Sequence, residues 1–222
     1  MLRLNKATKI GRVVLGDQVY EAIKERILDQ AYAPGEKLNI DGLVREFAVS
    51  STPIREALTR LVAEGLVSAA PFVGFATAAL PDRRYYEDLY AFRRLIEPWA
   101  AAEAARRPLK PGILETLREA VNAMMADPPS REYRGHRAFT EADDRFHNTI
   151  MAGAGNGVAL KCFEDLHFHL HVSRLYISRE QEVSVIHAEH VRIVDAIAAG
   201  DPDAAATAMR QHLDGSYERL IK

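Results

Sequence analysis

The sequence holds a single cysteine, Cys162, among 222 residues. That excludes an internal disulfide framework and fits a reducing compartment, where a lone thiol is most simply structural. No apolar run approaches the ~20 residues that a membrane helix needs. The first residues, MLRLNKATKIGRVV, are basic but carry no apolar core of signal-peptide length. The chain is therefore expected in the cytoplasm, with no membrane partner. A strong charge of either sign is missing too. The formal net charge is −2, and residues 1–78 hold ten Lys/Arg against nine Asp/Glu. No global field announces nucleic acid, so a DNA-binding role must rest on where individual cations sit. Internal repeats and low-complexity tracts are also absent.

What is present is the balance of an ordinary globular protein, 48% apolar and 27% charged. The length suits two compact domains of roughly 70 and 140 residues. A first helix is expected from Leu15 to about Asp29, with Val19, Ala22, Ile23 and Ile27 at helical spacing. It stops at Ala33-Pro34-Gly35, which forbids continuation. Short helices follow over Ile40–Phe47 and Thr52–Glu64. Gly65 closes the second, where a positive φ is wanted. Leu66–Ala70 and Gly74–Thr77 then flank Pro71-Phe72-Val73 as a β-hairpin. Beyond Leu80-Pro81-Asp82 everything reads helical, with helices near 83–107, 111–126, 131–152, 157–178, 180–199 and 202–221. Boundaries fall at Pro108/Pro111, Pro128-Pro129-Ser130, Gly153–Asn156 and Gly200-Asp201-Pro202. In the last, Asp201 can cap a helix whose first turn holds Pro202. The fold class is mostly α, with a domain boundary near residues 78–82.

Leu43–Leu58 has the logic of a helix-turn-helix. Leu43, Phe47, Val49, Ile54, Leu58 and Leu61 form an apolar wedge between two crossed helices, and Ala48 keeps the crossing tight. Ser50 or Ser51 can cap the third helix, with Pro53 in its first turn. The exposed start of that helix offers Ser51, Thr52 and Arg55, with Arg45 and Thr59 nearby. These donors suit phosphates and base edges in a major groove. A solvated salt bridge of Arg55 with Glu56 or Glu64 is the plainer alternative.

Three of the eight histidines, all beyond residue 130, fall on apolar helix stripes. Asp143 and His147 share a face with Phe139, Phe146 and Ile150. His190 lies with Ile186, Ile193 and Ile197, and His212 with Ala205, Met209 and Leu220. An inward carboxylate is costly unless paired or coordinated. Three helices each offering an imidazole beside it suit a divalent metal such as Zn²⁺, Ni²⁺ or Mn²⁺. Spacing alone fits buried core histidines equally well. Asp144 is the rival carboxylate and reads as solvent-facing. His167 shares a face with Phe163, Leu170 and Arg174 and can line a cavity, whereas His169 and His171 read as surface or interhelical residues. Arg93 lies on the stripe Leu89-Phe92-Arg93-Ile96, where an i, i+4 pair with Glu97 is the alternative to ligand binding.

On PGEKL (Pro34–Leu38), VSSTPIREALTRLVAEGLV (Val49–Val67) and the wing glycine Gly74, the chain resembles the GntR family of transcription regulators. It does so in the FadR-type branch that carries an all-helical FCD ligand-sensing domain. The resemblance covers nearly the whole chain. It implies a winged helix-turn-helix DNA-binding domain over 1–79, with a short N-terminal arm. It implies an FCD bundle over 80–222 for effector and metal binding and for dimerisation. By the family's pattern, Asp143, His147, His190 and His212 are the metal ligands, and Arg93 matches the family's arginine near the start of the first sensor helix. Arginines facing the cavity, Arg93 first and Arg174 second, are expected to clamp a carboxylate effector, and Ser50 and Gly74 are expected in the DNA-facing set. The partners implied are double-stranded operator DNA, a small organic acid and a second copy of the chain, with repression the expected sign. The family usually has Arg where this chain has Ser51, so the operator sequence does not carry over. Two other readings remain open, a regulator for which the metal itself is the signal and a metal-dependent hydrolase or lyase. The second leaves the N-terminal module without a purpose.

Overall fold

The computed structural model describes residues 10–108, 112–126, 133–176 and 183–221. Their contacts divide the chain into two compact units that meet between Ala79 and Leu80. The expected helix starts at 111, 131 and 180 and the Pro128-Pro129-Ser130 boundary lie outside the described residues.

The first unit contains helices α1 (Ile10–Leu28), α2 (Ile40–Phe47) and α3 (Ser51–Ala63) and strands β1 (Lys37–Leu38), β2 (Val67–Ala70) and β3 (Gly74–Thr77). Leu43, Ile54, Leu58 and Leu61 are buried with Val19, Ile23, Ile27 and Leu66, whereas Phe47 and Val49 are only half-buried at its edge. Ala48 takes a left-handed conformation (φ +53) at the end of α2. That turns the chain sharply enough for α3 to begin three residues later. Ser50 occupies the N-cap of α3 but makes no side-chain cap hydrogen bond. The hairpin is part of a three-stranded antiparallel sheet in the order β1-β3-β2. The strand β1 is a feature the sequence did not announce. Two residues carry no period of their own, and their pairing (Lys37 with Ala76, Leu38 with Phe75) comes from far along the chain. Thr77 fastens this edge, its hydroxyl donating to the Ala33 carbonyl at 2.5 Å and accepting from the Glu36 N–H at 2.9 Å.

The second unit is all helix: α4 (Arg83–Arg106), α5 (Ile113–Ala126), α6 (Tyr133–Gly153), α7 (Gly157–Glu164), α8 (Phe168–Tyr176), α9 (Val183–Ala198) and α10 (Pro202–Ile221). Asp82 caps α4 by accepting from the Tyr85 N–H. Asp201 caps the start of α10 at 3.0 Å from the Ala204 N–H, one residue before Pro202. Small side chains bring α4 close to its neighbours, with Ala100, Ala101, Ala104 and Ala105 all buried. Phe146, Ile150, Phe163, Phe168, Ile193 and Met209 fill the centre of the same core.

The single helix expected over 157–178 is instead two. Its sequence contains no glycine or proline after Gly157, so nothing punctuates it. The chain nevertheless turns at Asp165–His167, where His167 adopts φ +43. Histidine is one of the few non-glycine residues enriched in that region. The turn drives Phe168 into the core, 5.4 Å from the Phe163 ring.

Candidate functional site

Three helices of the second unit bring Asp143 and His147 (α6), His190 (α9) and His212 (α10) together. One potential ligand atom from each lies within 4.8 Å of the others. That spread is close to twice a ~2.1 Å metal–nitrogen bond. The three imidazoles are buried and Asp143 is half-buried.

The outward nitrogen of each ring faces a polar neighbour. His190 Nδ1 lies 2.8 Å from the Ile186 carbonyl. A carbonyl can only accept, so this nitrogen carries a proton, and in the neutral tautomer the lone pair is on Nε2. His212 Nδ1 lies 2.9 Å from Glu189 Oε2. His147 Nδ1 lies 2.6 Å from Glu97 Oε2, although the carboxylate sits out of line for a straight hydrogen bond. The Nε2 atoms of His147 and His190 are buried without a hydrogen-bond partner. Asp143 Oδ1 stands 3.8 and 3.2 Å from them. Buried polar atoms normally find partners. Unpartnered imidazole nitrogens gathered beside one carboxylate could hold a divalent metal, with outer neighbours orienting the rings.

The electrostatics match. Burial pushes the His212 imidazole down to about 3, with His190 adding to the effect, so at neutral pH the ring is neutral and able to donate its lone pair. Burial works to raise the carboxyls of Asp143, Glu97 and Glu189, but in each case cationic or donor neighbours outweigh it. Asp143 is held well below the ordinary carboxylate range by His147 and His190. Glu97 falls to about 2 through Arg93 and His147. Glu189 falls to about 2 through His212 and Arg219.

A cavity of about 50 Å³ opens against this cluster. Asp143 and His212 form part of its wall, and Tyr90, Arg93, Thr140, Ser216 and Arg219 contribute polar atoms. Its size corresponds to roughly three or four waters. Arg93 is buried, paired through Nε with Glu97 Oε1 at 2.5 Å and stacked 3.9 Å over Phe168. The Glu97 pair and the cavity position thus coexist, because the guanidinium has a second edge. Its Nη2 is buried without a partner.

Two expectations about this cavity need correction. His167 does not line it, because the turn at that residue breaks the helical face it was expected to share. His169 lines it instead, 2.8 Å from Asp144, so Asp144 is paired rather than simply solvent-facing. The side chain of Arg174 lies outside the described residues. Glu189 escaped the sequence reading, although its position three residues after the inward Ile186 and one before His190 marks it as facing inward. Gly215 was the other signal: a Cβ there would stand 2.9 Å from Glu189 Oε1. The glycine leaves room for the Glu189–Arg219 pair, with contacts of 2.9 and 2.8 Å.

In the first unit Arg45, Ser50, Ser51, Thr52, Arg55, Thr59 and Gly74 are all exposed. Thr59 turns its hydroxyl back on the Arg55 carbonyl at 2.8 Å. Glu64 is occupied by the Tyr20 hydroxyl (2.5 Å) and Lys24 (3.7 Å), so it does not neutralise Arg55. Among the described residues neither Arg45 nor Arg55 forms an ion pair. An uncommitted cation on the face of a helix-turn-helix is available to an anionic partner.

Residues 15–76 match the bacterial regulatory proteins of the gntR family, and residues 88–215 match the FCD domain. The chain belongs to the GntR family. Its GntR relatives include an uncharacterized HTH-type transcriptional regulator in an unstable DNA locus of Streptomyces ambofaciens, 29% identical over 91% of this chain and 83% of that protein. The HTH-type transcriptional repressor GlaR of Escherichia coli is 26% identical over 87% of this chain and 90% of its own. The structure of E. coli McbR/YncC has the same fold, with a TM-score of 0.70 at 21% identity, covering 93% of this chain and 97% of that one. These GntR relatives are transcriptional regulators, not enzymes. This chain is accordingly a DNA-binding transcriptional regulator with a C-terminal FCD domain. No helix among the described residues is long and apolar enough to cross a membrane.

Proposed function

We propose that this GntR regulator is a repressor whose operator binding is controlled by a small carboxylate seated on a divalent metal in the FCD unit. The observation that carries the reading is the convergence of Asp143, His147, His190 and His212, with Nδ1 of His190 and His212 hydrogen-bonded and Nε2 of His147 and His190 buried without a partner. Such a set holds Zn²⁺, Ni²⁺ or Mn²⁺, and a metal with positions to spare supplies a Lewis-acidic seat for a carboxylate or 2-hydroxycarboxylate. Arg93 then meets the ligand's remaining oxygen through its spare edge, as guanidinium and carboxylate geometries suit each other. The cavity's size favours an acid of few carbons. Repression is the role that the relative GlaR is named for.

Residues 1–79 serve as the DNA-binding domain and 80–222 as the sensor and dimerisation domain. A homodimer suits an operator of two half-sites. The exposed stripe of Phe92, Leu95 and Trp99 on α4 supports such pairing, with Leu95 79% exposed. The same helix carries Arg93 and continues directly from Leu80-Pro81-Asp82. Ligand binding therefore acts on the element that leads out of the first unit. An effector shifts operator affinity only if it prefers one arrangement of the dimer.

The test uses metal-loaded full-length protein and a duplex enriched by it from a random library. Affinity for that duplex is measured against a panel of two- to four-carbon carboxylates and 2-hydroxycarboxylates. At least one acid should change the affinity tenfold or more, about 1.4 kcal/mol of coupling. A response to metal alone, with no acid active, would instead make the metal the signal.

A further inference from the structure

The turn between β2 and β3 places a phenylalanine where local structure gives it no support. Phe72 has φ +62, a left-handed conformation that bulky residues rarely adopt. Its ring is fully exposed, and Val73 beside it is 63% exposed. The turn itself is well closed, by a 3.2 Å bond from the Val73 N–H to the Ala70 carbonyl. Gly74, at φ +98, returns the chain to β3, the central strand of the sheet. The apolar tip therefore stands on a three-stranded support. Backbone strain that persists against solvent exposure is characteristic of functional positions.

The surroundings say what the tip meets. Phe72 and Val73 line one open groove with Lys37, Asn39, Asp41 and Arg55. Arg55 is the uncommitted cation of α3, so the tip is continuous with the face offered to DNA. A duplex that receives α3 in its major groove presents the adjacent minor groove to a hairpin alongside. An apolar ring reads no hydrogen-bond pattern there. It can pack against the sugars and wedge at a base step, unstacking it and bending the duplex.

We propose that the Phe72–Val73 tip is a minor-groove wedge, and that through it operator choice depends on how easily the duplex deforms beside the base pairs Arg55 touches. The inference rests on the DNA-binding reading of the first unit. It favours pyrimidine–purine steps, which unstack most readily.

The experiment compares wild type, Phe72→Ala, Phe72→Asn and Arg55→Ala on a roughly 30-base-pair duplex enriched by the wild type from a random library, long enough for two half-sites. Bending is read by energy transfer between end labels, and folding by thermal melting. Both Phe72 variants should melt like wild type, bind about tenfold more weakly and bend the duplex less. Asn tolerates the left-handed backbone, so its failure would not reflect a strained turn. Arg55→Ala should instead lose base preference. Binding and bending by both Phe72 variants within about twofold of wild type would overturn the wedge while leaving the DNA-binding reading intact. Failure of the wild type to enrich any sequence would overturn both.

Discussion

The two units deploy charge in opposite ways. The first keeps Arg45 and Arg55 exposed and uncommitted, and pairs such as Arg60–Asp17, at 2.7 Å, lie at the surface. The second buries Arg93, Glu97, Glu189 and three histidines in its interior, each against another charged or donor group. The contrast separates two tasks. A surface that must find DNA presents open cations, whereas an interior proposed to hold one ion and one small anion has its charges already fixed by neighbours.

The largest effect that sharpens this contrast is on stability. Glu97→Gln leaves Arg93 facing the interior without its carboxylate, and breaking one partner of a buried pair costs about 3–5 kcal/mol. Asp17→Ala removes a pair whose members are 58% and 49% exposed, and should cost at most ~1 kcal/mol. Urea unfolding of the two variants measures the difference. Equal losses would show that the second unit's charges are not held as an interior network.

A smaller, pH-dependent effect has the same origin. His212 is depressed from 6.5 to about 3, so between those values the unfolded chain binds a proton that the folded one refuses. Glu97 and Glu189, lowered from 4.5 to about 2, act in the same direction at lower pH. Stability from these groups is fully present above pH 6.5 and declines as pH falls. Thermal melting of the metal-free chain between pH 7.5 and 4 should show that decline in the second unit's transition. A flat profile would break the comparison.

Much of this architecture was legible because it is locally encoded. Ala33-Pro34-Gly35, Gly65 and Gly200-Asp201-Pro202 stop or start helices by backbone chemistry alone, and the stripes around His147, His190 and His212 told which way those rings face. What escaped depends on distant partners. The strand β1 exists only through β3, and the break before Phe168 accompanies that ring's packing in the core, in a segment with no helix breaker. His167 and His169 exchanged places for that reason, since one left-handed residue rotates everything that follows. Glu97 was visible as the partner of Arg93. Its second contact, to His147, required the crossing of α4 and α6.

The claim on which the rest depends is that Asp143, His147, His190 and His212 hold a metal. Elemental analysis of full-length protein, stripped with chelator, reloaded with Zn²⁺, Ni²⁺ or Mn²⁺ and desalted, tests it most directly. Close to one ion per chain is expected, lost when His190→Ala and His212→Ala are combined in a chain that still folds. Protein that retains no ion after loading, or a double variant that retains as much as wild type, would contradict it.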